Sequence, residues 1–269
     1  MRKEKCVLRS FVLFLLWTLA FECLAEGAVW PTASGVSVLT DGALAVDYGN
    51  ASDGYIMVRG GVSDRKLKIR ISRGETMFTY DLNTDDQFEV FPLQLGSGSY
   101  TCELFENAKG SKFSQAAIVT FSATIENEFA PYLCPNQYVN YSKDAPAVAK
   151  AAEICAGLTG AKEKFTAVRN YVARNYTYDF VTAVSVKPGR MPDIELCFGK
   201  GKGICQDLSA MAVCMLRSQG VPAQLMIGYA ENQFHAWVTA FVDGAEILYD
   251  PSAEVGLGTP KEYAVERFY

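Results

Sequence analysis

From Ala28 to about Ile125, short runs rich in Val, Ile, Tyr and Phe alternate with turn residues: Ala43 to Tyr48 before Gly49-Asn50, Tyr55 to Arg59 before Gly60-Gly61, Leu67 to Ser72 before Gly74, and Ser99 to Glu106 before Asn107. Lys66-Leu67-Lys68-Ile69-Arg70-Ile71 alternates polar and apolar residues, the pattern of a strand with one wet face. Turn signals spaced roughly 8 to 12 residues apart predict a β-sandwich, immunoglobulin-like in size, over residues 28–130. Pro131 to Asn140 is marked by prolines, and the pattern assigns residues 131–144 to a linker. Beyond it the period becomes helical. Ser142 to Pro146 can start a helix that ends near Gly157, and Phe165, Val168 and Val172 mark an amphipathic second one with Lys162, Glu163, Lys164 and Arg169 on its wet face.

A third helix follows the glycine-rich approach Gly199 to Gly203. Leu208, Met211, Met215 and Leu216 form its apolar stripe, and Gly220 with Pro222 stops it. Three strand-like runs come next, Ala223 to Ala230, Phe234 to Phe241 and Ala245 to Tyr249, the last ending at Asp250-Pro251. Strand patterns thus fill the first part, and helical patterns followed by strand-like runs fill residues 145–269.

The N-terminus bears on location. Arg2, Lys3 and Lys5 precede an apolar run from Val7 to Phe21, and small residues follow from Cys23 to Ala28. Residues 1–25 therefore read as a signal peptide, with cleavage after Ala25 or after Ala28 both tolerable and an apolar run shorter than the roughly 20 residues that span a bilayer. The expected location is secreted or cell-surface, with no membrane association after cleavage. Glu22 stands where a lipoprotein signal wants a small residue, which argues against Cys23 as a lipid anchor.

The chain of 269 residues is 49% hydrophobic and 20% charged, a globular composition, and its net charge is −5. Cleavage after Ala25 would remove four basic and two acidic residues, leaving −7. Neither value suits a nucleic-acid partner. Cysteines 102, 134, 155, 197, 205 and 214 would remain. Their irregular spacing leaves any disulfide pairing open, and a core of this size needs no such staples. No Cys-x-x-Cys pair or glycine-rich phosphate motif occurs, so neither a metal nor a cofactor is expected.

One histidine, His235, is present, so any histidine chemistry must use it. Cys205 begins the third helix, where free backbone N–H groups and the positive end of the macrodipole stabilise a thiolate and can receive an oxyanion. Cys214, about 180° around the same helix, reads as a core residue. If Asp243 and Gly244 are the central residues of a type I′ hairpin, paired positions sum to 487 and Trp237 faces Asp250. Asp250 then becomes the same-face diagonal neighbour of His235, whereas a one-residue slip would send it to the opposite face. Cys205, His235 and Asp250 thus supply a nucleophile, a base and an orienting carboxylate.

Arg174-Asn175-Tyr176-Thr177-Tyr178, Gly203-Ile204-Cys205-Gln206-Asp207-Leu208-Ser209-Ala210, Leu216 to Ala223, His235-Ala236-Trp237-Val238 and Tyr249-Asp250-Pro251-Ser252 together resemble the bacterial transglutaminase-like core. The resemblance covers about residues 145 to 255, and Phe91 to Tyr100 with Pro135 to Val139 resemble the β-rich segment that accompanies this core in secreted bacterial proteins. It implies a papain-like α+β fold with a Cys205-His235-Asp250 triad. Protein or peptide substrates follow from it, with cell-wall-associated material as one setting. Tyr178, Gln206 and Trp237 become candidates for oxyanion or substrate contacts. Leu248-Tyr249 departs from the Trp often found before the triad Asp, and Ser252 stands where Thr is frequent. The Gly-Gln-Cys-Trp motif of animal calcium-dependent transglutaminases is missing, so no calcium requirement is implied. The acyl-enzyme can pass to an amine or to water. The competing reading is a non-catalytic surface-binding module on the same scaffold.

Overall fold

The computed structural model describes residues 27–269, and the expected signal peptide lies outside the described residues. Eight strands build the first part: β1 (Val38–Asp41), β2 (Leu44–Asp47), β3 (Tyr55–Arg59), β4 (Leu67–Arg73), β5 (Thr76–Leu82), β6 (Glu89–Pro92), β7 (Gly98–Lys109) and β8 (Lys112–Ala123). They form two four-stranded sheets, ordered β1-β2-β3-β6 and β5-β4-β7-β8, with every pairing antiparallel. The alternation in β4 has its expected result: Leu67, Ile69 and Ile71 are buried, while Lys68 and Arg70 are partly exposed. Val46, Ile56 and Val58 from one sheet share an apolar core with Ile69, Tyr100 and Leu104 from the other.

The proline-marked stretch is packed rather than exposed. A short 3-10 turn spans Ala130–Leu133, and Pro131, Leu133, Cys134, Asn136, Val139 and Tyr141 are buried. Asn136, which looks like a loop residue in the sequence, instead accepts the backbone N–H groups of Tyr138 and Val139 with its side-chain oxygen and so closes a local turn.

The second part contains α1 (Pro146–Ile154), α2 (Ala161–Asn175), β9 (Thr177–Tyr178), α3 (Phe180–Ala183), α4 (Ile194–Lys200), β10 (Lys202–Gly203), α5 (Cys205–Arg217), β11 (Ala223–Ala230), β12 (Gln233–Val242), β13 (Ala245–Tyr249) and β14 (Tyr263–Phe268). Phe165, Val168 and Val172 are the buried residues of α2, as its apolar stripe requires. The sheet has the order β13-β12-β11-β14. Helix α5 is buried on nearly all sides and packs on β11 and β12, where the Ser209 hydroxyl donates to the Ala236 carbonyl at 3.1 Å. Beyond Arg217 the chain turns through Gly220 at φ +76°, and the Val221 N–H returns to the Leu216 carbonyl. This αL closure explains the glycine that ends the helical pattern. Among the described residues no helix is long and apolar enough to cross a membrane.

Arg217 ties distant parts of the chain together. Its side chain is fully buried, and its guanidinium donates to the backbone carbonyls of Ala223 at 2.8 Å, Cys134 at 2.5 Å and Tyr269 at 2.8 Å. The ring of Tyr269 in turn packs on Phe78, Tyr80 and Tyr138. Removing the guanidinium would take a donor from three buried acceptors, of which Tyr269 keeps the Leu225 N–H, a larger loss than that of one ordinary hydrogen bond. Arg217→Leu is therefore expected to lower the unfolding free energy by about 3 kcal/mol. Urea denaturation measures this, and a change within experimental error would show that water replaces the guanidinium.

Candidate active site

Asp243 at φ +51° and Gly244 at φ +80° form the turn between β12 and β13, with the backbone of a type I′ hairpin. Val242 pairs with Ala245, and the ladder runs to Val238 opposite Tyr249, the register expected from the sequence. Asp250 lies one step past the end of that ladder, and its Oδ2 meets His235 Nε2 at 2.8 Å. Asp250 Oδ1 accepts the N–H groups of Ser252 at 3.0 Å and Ala253 at 3.1 Å. Oδ2 also accepts the Tyr263 hydroxyl at 2.9 Å.

Cys205 occupies the first turn of α5, with Ile204 as N-cap. The buried Asp207 carboxylate holds this helix start in place. Its Oδ1 accepts Arg190 Nη1 at 2.7 Å and the Asp193 N–H at 3.0 Å, and its Oδ2 accepts the Ile204 N–H at 3.3 Å. An acid in the first helical turn suits both the orphan N–H groups and the macrodipole. Cys205 is the one described cysteine that is not buried, and all six described cysteines are free thiols. Burial pushes the Cys102, Cys134 and Cys197 thiols up to about 12 and raises Cys214 as well. Cys214 has no exposed surface, in keeping with its place on the far side of α5.

Cys205 is a close neighbour of His235 and, with Asp250, favours the protonated ring. Nε2 is taken by Asp250, which leaves Nδ1 as the ring nitrogen open to a second partner. Burial favours the neutral imidazole, but the Asp250 hydrogen bond and the neighbouring Cys205 outweigh it and hold the His235 pKa up to about 9. Burial likewise favours a neutral Asp250, and the His235, Ala253 and Tyr263 donors overcome it to lower the carboxyl.

The other sequence candidates divide. Tyr178 lines the same cleft as Cys205 and is one of its neighbours. Burial is the main cause, with the neighbouring Cys205 second, of a phenol pushed up to about 12. Gln206 lines the same cleft, with its side-chain amide directed onto the Arg190 carbonyl at 3.2 Å. Trp237 does not line it. This ring is 2% exposed, stacks on His235 at 6.3 Å and meets Tyr263 at 4.9 Å. The expectation that Trp237 contacts substrate is thus corrected: two residues along a strand share a face, so Trp237 backs His235 from inside the sheet. The functional neighbours with no separate signal in the sequence are Asp207, inside the Cys205 motif, and Tyr263, on β14.

A cleft of about 480 Å³ opens over Cys205. Its walls include Tyr178, Ile227, Tyr229 and Phe234, with Lys187 and Arg190 and no carboxylate. Hollows of about 550 Å³ beside Trp30 and about 680 Å³ beside Lys66 hold no thiol.

Residues 148–251 match the profile of the transglutaminase-like superfamily. This segment is a transglutaminase-like domain. No curated protein matched the chain. Among solved structures, the chain is similar to a candidate cysteine protease from Cytophaga hutchinsonii at 15% identity and TM-score 0.41, covering 76% of this chain and 68% of that one. It is similar to a protein described as a TGase at 20% identity and TM-score 0.37, covering 57% and 45% respectively. Red sea bream transglutaminase matches at 13% identity and TM-score 0.31, covering 76% and 49%. The chain therefore spans less than half the length of those two.

Protonation of this transglutaminase-like site couples to stability. The folded His235 holds its proton to about pH 9 against an ordinary 6.5, so its contribution is complete below about pH 6.5 and lost as pH rises toward 9. The advantage of the wild type over His235→Ala in urea unfolding is expected to be about 3 kcal/mol larger at pH 6 than at pH 10. An equal advantage at both values would contradict the charged pair.

Proposed function

We propose that the chain is a secreted thiol enzyme that acts on peptide or glutamine amides through an acyl-enzyme on Cys205. The observation that carries this reading is the line from the Cys205 thiol through His235 to the Asp250 carboxylate. Cys205 on the wall of the open cleft, with the buried His235–Asp250 pair beside it, supports the reading of a nucleophile, a proton carrier and an orienting anion.

The steps follow from the positions of the atoms. The Cys205 thiolate attacks the amide carbonyl carbon, forming a C–S bond and placing negative charge on the carbonyl oxygen. The Cys205 backbone N–H, at the helix start, and the Tyr178 hydroxyl beside it are positioned to receive that oxyanion. His235 gives the proton on its Nδ1 to the departing nitrogen as the C–N bond breaks, leaving a thioester and neutral imidazole. An amine or a water then loses its proton to Nδ1 and attacks the thioester, and the C–S bond breaks to restore the thiolate. Asp250 keeps the Nε2 proton in place throughout and stabilises the imidazolium.

An apolar cleft with two cations and no carboxylate suits a peptide with apolar side chains beside the reacting amide better than a basic one. The proposed extracellular setting rests on the basic and apolar N-terminal segment, and cell-wall material would be one such setting. For the first part of the chain, the shared core between two antiparallel sheets supports reading it as an immunoglobulin-like sandwich of residues 28–130, followed by a connector to the domain at 145–269.

Incubation of the protein with mixed glutamine-containing peptides and a primary amine, followed by mass spectrometry, tests the activity. Amine incorporation with loss of ammonia, or cleavage by water, is expected. Cys205→Ala should reduce either by at least ~10³-fold, and Asp250→Asn by roughly 10² to 10⁴-fold. No product from the wild type, or equal product from Cys205→Ala, would favour the binding-module reading.

A further inference from the structure

Tyr263 lies outside the segment 148–251 that matches the superfamily and reaches the site from β14. Its hydroxyl donates to Asp250 Oδ2 at 2.9 Å, the same oxygen that meets His235 Nε2 at 2.8 Å. Its ring lies 4.9 Å from Trp237 and 6.3 Å from His235. The fold makes specific room for this approach. Strand β14 pairs with β11 through a register shift between Ile227 and Gly228. A Cβ on Gly228 would come within 2.0 Å of the Ala264 carbonyl oxygen. Only glycine admits β14 so closely, next to the residue that delivers the hydroxyl.

We propose that Tyr263 is a positioning residue that sets the strength of the Asp250–His235 hydrogen bond. This rests on the reading of Cys205, His235 and Asp250 as the reactive set. Two donors share Oδ2, so the phenol draws charge from the oxygen that would otherwise be given to the imidazolium. It also fixes Oδ2 toward Nε2, while the two N–H groups on Oδ1 stop the carboxylate from turning. Burial and the Asp250 charge both raise the Tyr263 phenol, which keeps it a donor at any working pH. The other ionisable groups near the pair are Cys205 and Tyr178 on the cleft side, with Tyr249, Arg169 and Glu254, the last two ion-paired to each other, in the hollow beyond Asp250. Removing the Tyr263 hydroxyl alters none of these.

The test uses the full chain and iodoacetamide, with labelling at Cys205 followed by peptide mass spectrometry from about pH 5 to about pH 10.5. Wild type, Tyr263→Phe and His235→Ala are compared. Phenylalanine keeps the ring against Trp237 and removes only the donor. The alkaline inflection in the alkylation rate, which reports His235, is expected to move upward by about half a unit to one unit in Tyr263→Phe. An inflection unmoved or moved downward in Tyr263→Phe, in a protein where His235→Ala abolishes it, would overturn the positioning role alone. A wild-type profile that His235→Ala leaves unchanged would overturn the underlying thiol–imidazole reading, and this inference with it.

Discussion

A two-residue turn constrains the whole site. Side chains alternate along a strand, so a slip of one residue in the β12–β13 ladder would carry Asp250 to the face opposite His235. Asp243 and Gly244 prevent the slip by adopting positive φ, which matches the right-handed twist of the flanking strands. The adjacent ladder is fixed from its other side by α5, through the buried bond from Ser209 to the Ala236 carbonyl. One helix and one hairpin therefore position the thiol, the imidazole and the carboxylate, with no need for rigidity in the cleft walls.

That geometry makes charge tolerable where burial opposes it. Asp250 and His235 are both almost fully buried, and each would be neutral if desolvation acted alone. Four donors on the Asp250 carboxylate reverse the balance. The imidazolium is then favoured beside this anion, with Cys205 as a further neighbour. A different carboxylate, Asp207, performs the corresponding work for the helix start, since it fastens Ile204, Asp193 and Arg190 around the residue that carries the sulfur. Cys205 and His235 are thus held by separate buried acids.

Local patterns made much of this legible in the sequence. Strands β11 and β13 begin and end where the strand-like runs predict, since Pro222 precedes β11 and Asp-Gly and Asp-Pro punctuate β13. Cys205 could be placed at a helix start because a glycine-rich approach runs into an apolar stripe. What escaped depends on contacts between distant residues. Arg217 looks like a helix-end cation, yet its partners include Cys134 and Tyr269. Residues 131–144 look like a linker by composition and are packed by tertiary contact. Trp237 looked like a substrate contact because it is aromatic and near His235, whereas the strand period places it behind the imidazole. Tyr263 carried no signal, since its meeting with Asp250 requires the bulge at Gly228.

Because His235 is the only histidine, nuclear magnetic resonance of the protein labelled with ¹⁵N-histidine observes a single imidazole. The account predicts a ring that stays doubly protonated through neutral pH and titrates near 9, and that falls toward the ordinary value when Asp250 is replaced by Asn or Cys205 is blocked. A ring that titrates near 6.5 and ignores both changes would contradict it.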